Sequence, residues 1–342
     1  MTSAIVRELE NQREYLSGDK VSTIYFGGGT PSLLPQEDLD KIMSAIEFTN
    51  DIDNEREVTL EVNPEDVSTE MINVWKEAGV NRISIGIQTF HNDLLQYLNR
   101  AHDNTKAKEA LGLITDSFDN FNLDLIYGIP HAKDDRLVED IIQALEYDPS
   151  HISAYALTIE PKTVFGNRLK NNKLKVVDDD LIADEFLLLH DQLTSKGYDH
   201  YEVSNYATNG YISKHNSGYW KSKKYLGVGP SAHSYNLVSR QSNISNNAKY
   251  MKLMEENGNY FTVEELDNNA RVNDYILTSL RTKWGISIEL IKKEWSYDIS
   301  KDKENFLMQL LQNQYATLEN DRLILTANGF LLADQFATEL FL

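Results

Sequence analysis

The chain has 342 residues, with 33 Lys or Arg against 53 Asp or Glu, a formal net charge of −20, and no cysteine. The missing thiols exclude a disulfide framework, a thiol nucleophile and any Cys-ligated zinc or iron–sulfur centre within this chain. The acidic balance argues against a general nucleic-acid binder, and the 41% hydrophobic content, with 18 Tyr, 12 Phe and 4 Trp, excludes global disorder.

In chain order, Ser3–Leu16 reads as an amphipathic helix. Strand-like runs follow at Val21–Phe26, Val58–Val62, Arg82–Gly86, Asn122–Tyr127 and His151–Leu157, with helical patterns between them at Gln36–Glu47, Thr69–Lys76, Asn104–Thr115 and Leu137–Leu145. Strand starts lie about 24 to 40 residues apart, the spacing of successive βα units on a parallel sheet. Five such units predict a (β/α) barrel or part of one. A doubly wound sheet has the same periodicity and stays open as the alternative. A long helix is predicted over Asp178–Lys196, then irregular structure or short strands from Tyr198 to Tyr235. After about Tyr260, helices at Asn269–Thr282, Ile288–Glu294 and Lys303–Gln314, a hairpin (Ala316–Leu318 with Leu323–Leu325) and a final helix from Ala327 resemble a small winged-helix unit. That region holds 8 basic and 13 acidic residues, which speaks against a DNA-reading wing. Three regions are expected: residues 1–205, a partial barrel core; residues 206–260, a connecting region; and residues 261–342, a helical domain. No apolar run approaches the roughly 20 residues of a membrane span, and the N-terminus lacks signal-peptide features, so a cytoplasmic location is expected.

Three groups of residues could carry chemistry. The first is Gly27-Gly28-Gly29-Thr30-Pro31, directly after a strand. It is either a backbone platform that approaches a ligand or a tight turn needing positive φ. No Gly-Lys-Ser/Thr follows, so it is not a P-loop. The second is a set of polar side chains in or just after apolar strands: Glu61, Gln88 and Asp124, with Arg100 able to supply a cation. Each needs a partner or a ligand once buried. Arg100 could equally sit in a surface salt bridge, and Glu61 with Asp124 would also suit a glycosidase-like hydrolase. The third is His215-Asn216-Ser217-Gly218-Tyr219-Trp220, an imidazole beside large aromatics, as a haem or another flat macrocycle would want. Alternatively His215 caps a turn and the rings are core.

Taken together, Tyr25–Ser32, Glu61-Val62-Asn63-Pro64, Gly86–Phe90, Leu98-Asn99-Arg100, Asp124–Pro130 and Tyr201–Ala207 occur in an order that resembles the radical S-adenosylmethionine proteins related to oxygen-independent coproporphyrinogen III oxidase. The His-Asn-x-x-Tyr-Trp run at His215–Trp220 resembles the mark of the HemW-type haem chaperones within that group. The resemblance implies an open, partial (β/α) barrel with a C-terminal helical domain. It also implies S-adenosylmethionine contacts at Gly28, Gly29, Thr30, Glu61, Gln88, Arg100, Asp124 and Ala156, and haem contacts at His215, Tyr219 and Trp220. Haem and an acceptor protein are the implied partners. The family also carries a [4Fe–4S] cluster on a Cys-x-x-x-Cys-x-x-Cys loop after its first strand. This chain has no such motif and begins at what corresponds to the first barrel helix, so both strand and cluster ligands are expected to be missing. Whether the chain is an enzyme therefore stays open between three readings: a haem chaperone, a coproporphyrinogen oxidase-like enzyme of porphyrin biosynthesis, and a binding-only remnant.

Overall fold

The computed structural model describes all residues except 131–134, 162, 172–173, 175–176 and 209. Its central element follows from the period-2 alternation within the strands. In β2 (Ile52–Val62), Val58, Leu60 and Val62 are buried against helices, and Glu57, Thr59 and Glu61 occupy the opposite face. The same alternation holds in β3 (Arg82–Gln88), β4 (Phe121–Tyr127) and β5 (His151–Ala156). With β1 (Val21–Phe26) these strands form a parallel array in the order β1-β2-β3-β4-β5. Neighbours in space are neighbours in sequence, with no reversal of order. This decides between the two architectures: the sheet is an open, partial (β/α) barrel and not a doubly wound sheet. A tight hairpin, β6 (Asp199–Glu202) and β7 (Asn205–Ala207), extends it antiparallel beyond β5, so the sheet has seven strands with β1 and β6 at its edges.

Helices Gln36–Thr49, Thr69–Glu77, Asn104–Thr115 and Arg136–Leu145 cover the outer face. Ser68 and Asp103 cap two of them by accepting the N–H of Met71 and Lys106. The predicted first helix is shorter than its pattern, Thr2–Asn11, and turns continue to Ser17 and Gly18, both at positive φ. Its Glu8 is fully buried and accepts hydrogen bonds from Gly229 N–H and from the Asn243 and Tyr250 side chains. Desolvation raises the pKa of this carboxyl, and the three donors pull it back down.

The stretch Tyr198–Tyr235, expected as irregular structure or short strands, does hold short strands, β6, β7 and β8 (His233–Tyr235), and adds the unforeseen helix Lys214–Trp220. Beyond it, β8 joins an antiparallel sheet with β9 (Ser239–Asn243) and β10 (Phe261–Glu265), with helix Asn247–Glu256 between β9 and β10. The C-terminal elements run helix Asn268–Leu280, β11 (Ile286–Ser287), helices Ile288–Trp295 and Glu304–Gln312, then β12 (Ala316–Glu319) and β13 (Arg322–Leu325). β13 pairs with both β11 and β12, as in a winged helix. The final helix is split into Ala327–Phe330 and Ala333–Leu340. Among the described residues, no helix is long and apolar enough to cross a membrane.

Candidate functional site

The inner face of the half-barrel is polar. Asn122 donates to Ser84 at 2.8 Å and to Asp124 at 2.6 Å, and its amide oxygen accepts from Ser153 at 3.0 Å. Ser153 also lies 2.6 Å from Asn205, which in turn donates to Glu202. His151 bridges Asn122 at 2.6 Å and Tyr201 at 2.8 Å. Burial holds this imidazole far below its ordinary range, with the Arg82 charge acting the same way, so it is neutral.

The glycine loop and the strand carboxylates meet at the C-terminal ends of the strands. Glu61 accepts from the Tyr25 hydroxyl at 2.8 Å and from Gly28 N–H at 3.0 Å. Gly28 and Gly29 both take positive φ, so the turn requirement is real at these two positions. Gly27 serves a different need. A Cβ there would lie 2.7 Å from the Tyr25 ring and 2.9 Å from Glu61 Oε1, so the bare Cα admits the Tyr25–Glu61 pair. Thr30 and both positive-φ glycines are exposed.

Gln88 ends β3 with φ at 70° where the register with β4 shifts, a strained conformation for a non-glycine residue. Its amide lies over Gly86, where a Cβ would come within 2.8 Å of it and within 3.3 Å of the Arg100 guanidinium. Arg100 Nη2 donates to Asn63 at 3.0 Å and to the Gly86 carbonyl at 3.3 Å, so of the two alternatives for this residue the surface salt bridge is not what holds it. Asp124, facing inward from β4, has its pKa pushed up to about 6 by burial, with the Glu61 charge adding and the Asn122 hydrogen bond opposing. Ala156 is the last residue of β5, so its backbone lies at the same end of the sheet.

His215 lies within a helix and does not cap a turn. Ser213 is the cap, accepting Asn216 N–H at 3.2 Å. The first two amides, of Lys214 and His215, donate to the buried Glu57 carboxylate at 3.1 and 3.0 Å. The imidazole stacks on Tyr25, with centroids 4.7 Å apart and planes at 22°. Its Nδ1 lies 3.0 Å from Thr23 Oγ1 and its Nε2 lies 2.9 Å from the Tyr219 hydroxyl, one helical turn on. Burial pushes its pKa down to about 4, with Arg82 acting in the same direction. Tyr219 is 39% exposed and is therefore not core. Trp220 faces elsewhere: the Arg281 guanidinium sits 5.7 Å from its ring.

One connected path thus runs Glu61–Tyr25–His215–Tyr219 and joins two groups that are far apart in sequence. Sequence reasoning missed Tyr25 as its hinge, along with Thr23, Glu57 and Arg82. The signal was available in the alternation, since Thr23 and Tyr25 share a face of β1. Both oxygens of Glu61 are engaged in holding Tyr25 and the glycine loop, which leaves the hydrolase reading of Glu61 with Asp124 without a free carboxylate pair. Among the described residues no cluster of three or more His, Cys, Asp or Glu could hold a metal ion. A [4Fe–4S] cluster is held by thiolates, and this chain has none to offer, so its residues do not fit that group.

Comparison with known proteins bears on this geometry. A family model described as the Radical SAM superfamily matches residues 2–143. The chain is similar to "Heme chaperone HemW" of Lactococcus lactis subsp. lactis (strain IL1403), 31% identical over 332 residues, covering 97% of this chain and 87% of that protein. It is similar to the protein of the same name from Escherichia coli (strain K12), 39% identical over 230 residues, covering 67% and 60%. Its fold is similar to that of the coproporphyrinogen III oxidase HemN of Escherichia coli, a radical SAM enzyme, with a TM-score of 0.82 and 20% identity over 99% of this chain and 82% of that one.

Proposed function

The chain belongs to the HemW-type haem chaperones of the radical S-adenosylmethionine superfamily, and from that premise we propose that it binds haem and passes it to an acceptor protein, working in the cytoplasm. The observation that carries the site assignment is the neutral His215 ring, stacked on Tyr25 and facing the half-exposed Tyr219. A neutral imidazole is the form that ligates haem iron. Nε2 becomes free for the metal once the Tyr219 hydroxyl turns away, and its exposure gives that side chain room to do so. Tyr219 also offers a face to the macrocycle.

The same reading assigns Gly28, Gly29, Thr30, Glu61, Gln88, Arg100, Asp124 and Ala156 to S-adenosylmethionine. The residues suit it in kind: carboxylates for ribose hydroxyls, a cation and amides for the methionyl end, and a strand-end backbone for adenine. Bound there, it would supply a nucleoside and a zwitterion to be held. Its reductive cleavage draws an electron from a cluster that this chain's own residues do not hold.

Haem titration followed by optical spectroscopy tests the reading. Wild type is expected to shift the Soret band, and His215→Ala to lose or displace that shift. An absent shift in wild type, or an identical spectrum in His215→Ala, overturns the assignment.

A further inference from the structure

Arg82 opens β3 and shares its inner face with Ser84, because Ile83, Ile85 and Ile87 point outward into the helix layer. It is only 2% exposed, yet it makes no salt bridge, and its Nε and Nη2 have no hydrogen-bond partner among the described residues. The hydroxyl of Thr59, its register partner on β2, is likewise buried and unpartnered. Every carboxylate on the surrounding inner face is engaged elsewhere. Glu57 holds the amides of Lys214 and His215, Glu61 holds Tyr25 and Gly28, Asp124 accepts from Asn122, and Glu202 accepts from Asn205. The charge nevertheless acts across the whole lumen: it is felt at Tyr25, Asp124, His151, Tyr201 and His215.

A buried, unpaired guanidinium is costly, and a fold retains one where a ligand completes it. The two unpartnered nitrogens, themselves shut off from solvent, set the geometry that a ligand must match. Nε–H and Nη2–H form the side-on edge of the guanidinium, which matches a carboxylate with two parallel hydrogen bonds. Thr59 adds a hydroxyl beside that edge. Resting on the haem reading above, we infer that the Nε/Nη2 edge of Arg82, with Thr59 beside it, receives a carboxylate side arm of the bound porphyrin. His215, on the helix Lys214–Trp220 that packs its ring against Thr23 and Tyr25 of β1, then addresses the iron of the same molecule.

The test compares haem with its dimethyl ester, in which both carboxylates are masked, on wild type and Arg82→Gln. Charge-assisted hydrogen bonds contribute about 1.5–3 kcal/mol, which converts to a loss of about tenfold or more. Arg82→Gln is expected to weaken haem by about that factor and leave the ester unchanged, while Arg82→Lys recovers part of the loss. Wild type that binds acid and ester equally, or a variant that loses both equally, overturns the inference. The other carboxylate source is the methionyl group of S-adenosylmethionine. A loss of S-adenosylmethionine affinity in Arg82→Gln with haem affinity intact overturns the porphyrin assignment in its favour.

Ligand-free Arg82→Gln is expected to melt no lower than wild type, since it relieves an unpaired charge. A fall of several degrees marks a structural role and overturns the inference. Sodium propionate set against propionamide, at equal concentration, separates this inference from the haem reading. Wild type should gain thermal stability from the carboxylate alone and Arg82→Gln from neither, even if haem itself fails to bind. An equal response to both compounds, or to neither, overturns it.

Discussion

At the scale of single residues, burial moves groups of the site away from their ordinary titration ranges, Asp124 upward and His151 and His215 downward. Asp124 titrates at about 6, against an ordinary carboxyl near 3.8. A carboxyl raised in this way destabilises the folded state at neutral pH, and the deficit disappears as pH falls from 6 towards 4 and the folded form takes up the proton. Asp124→Asn should therefore stabilise the ligand-free protein at pH 7.5 by about 1–3 kcal/mol, with the gain vanishing near pH 4. Urea denaturation at the two pH values checks this, and a gain that persists at pH 4 refutes it. Glu61, Gln88 and Asp124 were legible in the sequence because each interrupts an apolar strand. Arg82 was not, because an arginine at the start of a strand reads as an ordinary surface charge. Only the three-dimensional closure of β2, β3 and β4 around it shows that it is buried and alone.

At the scale of elements, the order of the βα array was legible, since both faces of each strand are specified: apolar against the helices, polar towards the lumen; the polar start of β2 from Ile52 and the short helix Asn92–Tyr97 were not. The helix Lys214–Trp220 was not legible. Asn216, Ser217 and Gly218 are poor helix formers, and seven residues cannot sustain a helix alone. It is held from outside by Glu57, which lies 157 residues away from Lys214 in the chain. Replacing Glu57 by Gln should cost about 1–3 kcal/mol and loosen this helix in particular. Hydrogen exchange would show it: the amides of Ser217–Trp220 should lose protection while those of β3 and β4 keep theirs. Uniform loss across the barrel would count against the anchoring role.

At the scale of the whole molecule, His200 ties the barrel to the C-terminal region. It stacks on Tyr206 of β7 with centroids 4.1 Å apart, and meets Phe186 of the helix Asp179–Ser195 and Phe330 near the C-terminus. Its Nε2 faces the Val203 carbonyl at 3.3 Å and so carries the proton, leaving Nδ1 to accept from His190 at 2.8 Å. Burial pushes its pKa down to about 3. The unfolded chain gains a proton here below about pH 6.5 that the folded chain refuses, so this group removes stability as pH falls from 6.5 to about 3. The stability cost of His200→Gln should accordingly shrink by about 1.4 kcal/mol per pH unit below 6.5 and stay constant above 7. Denaturation midpoints at pH 8, 6 and 5 decide the point, and a pH-independent difference refutes it. The long reach of the contacts at the site has a consequence for assembly. Thr23 meets His215 across 192 residues of chain, and Glu8 meets Tyr250 across 242. Contacts of such sequence separation form late, after local structure. On a growing chain the face of β1 that carries Thr23 and Tyr25 therefore stays uncovered until the segment carrying His215 has been made. The order of the sequence itself sets when the two walls can meet, the first waiting for the second.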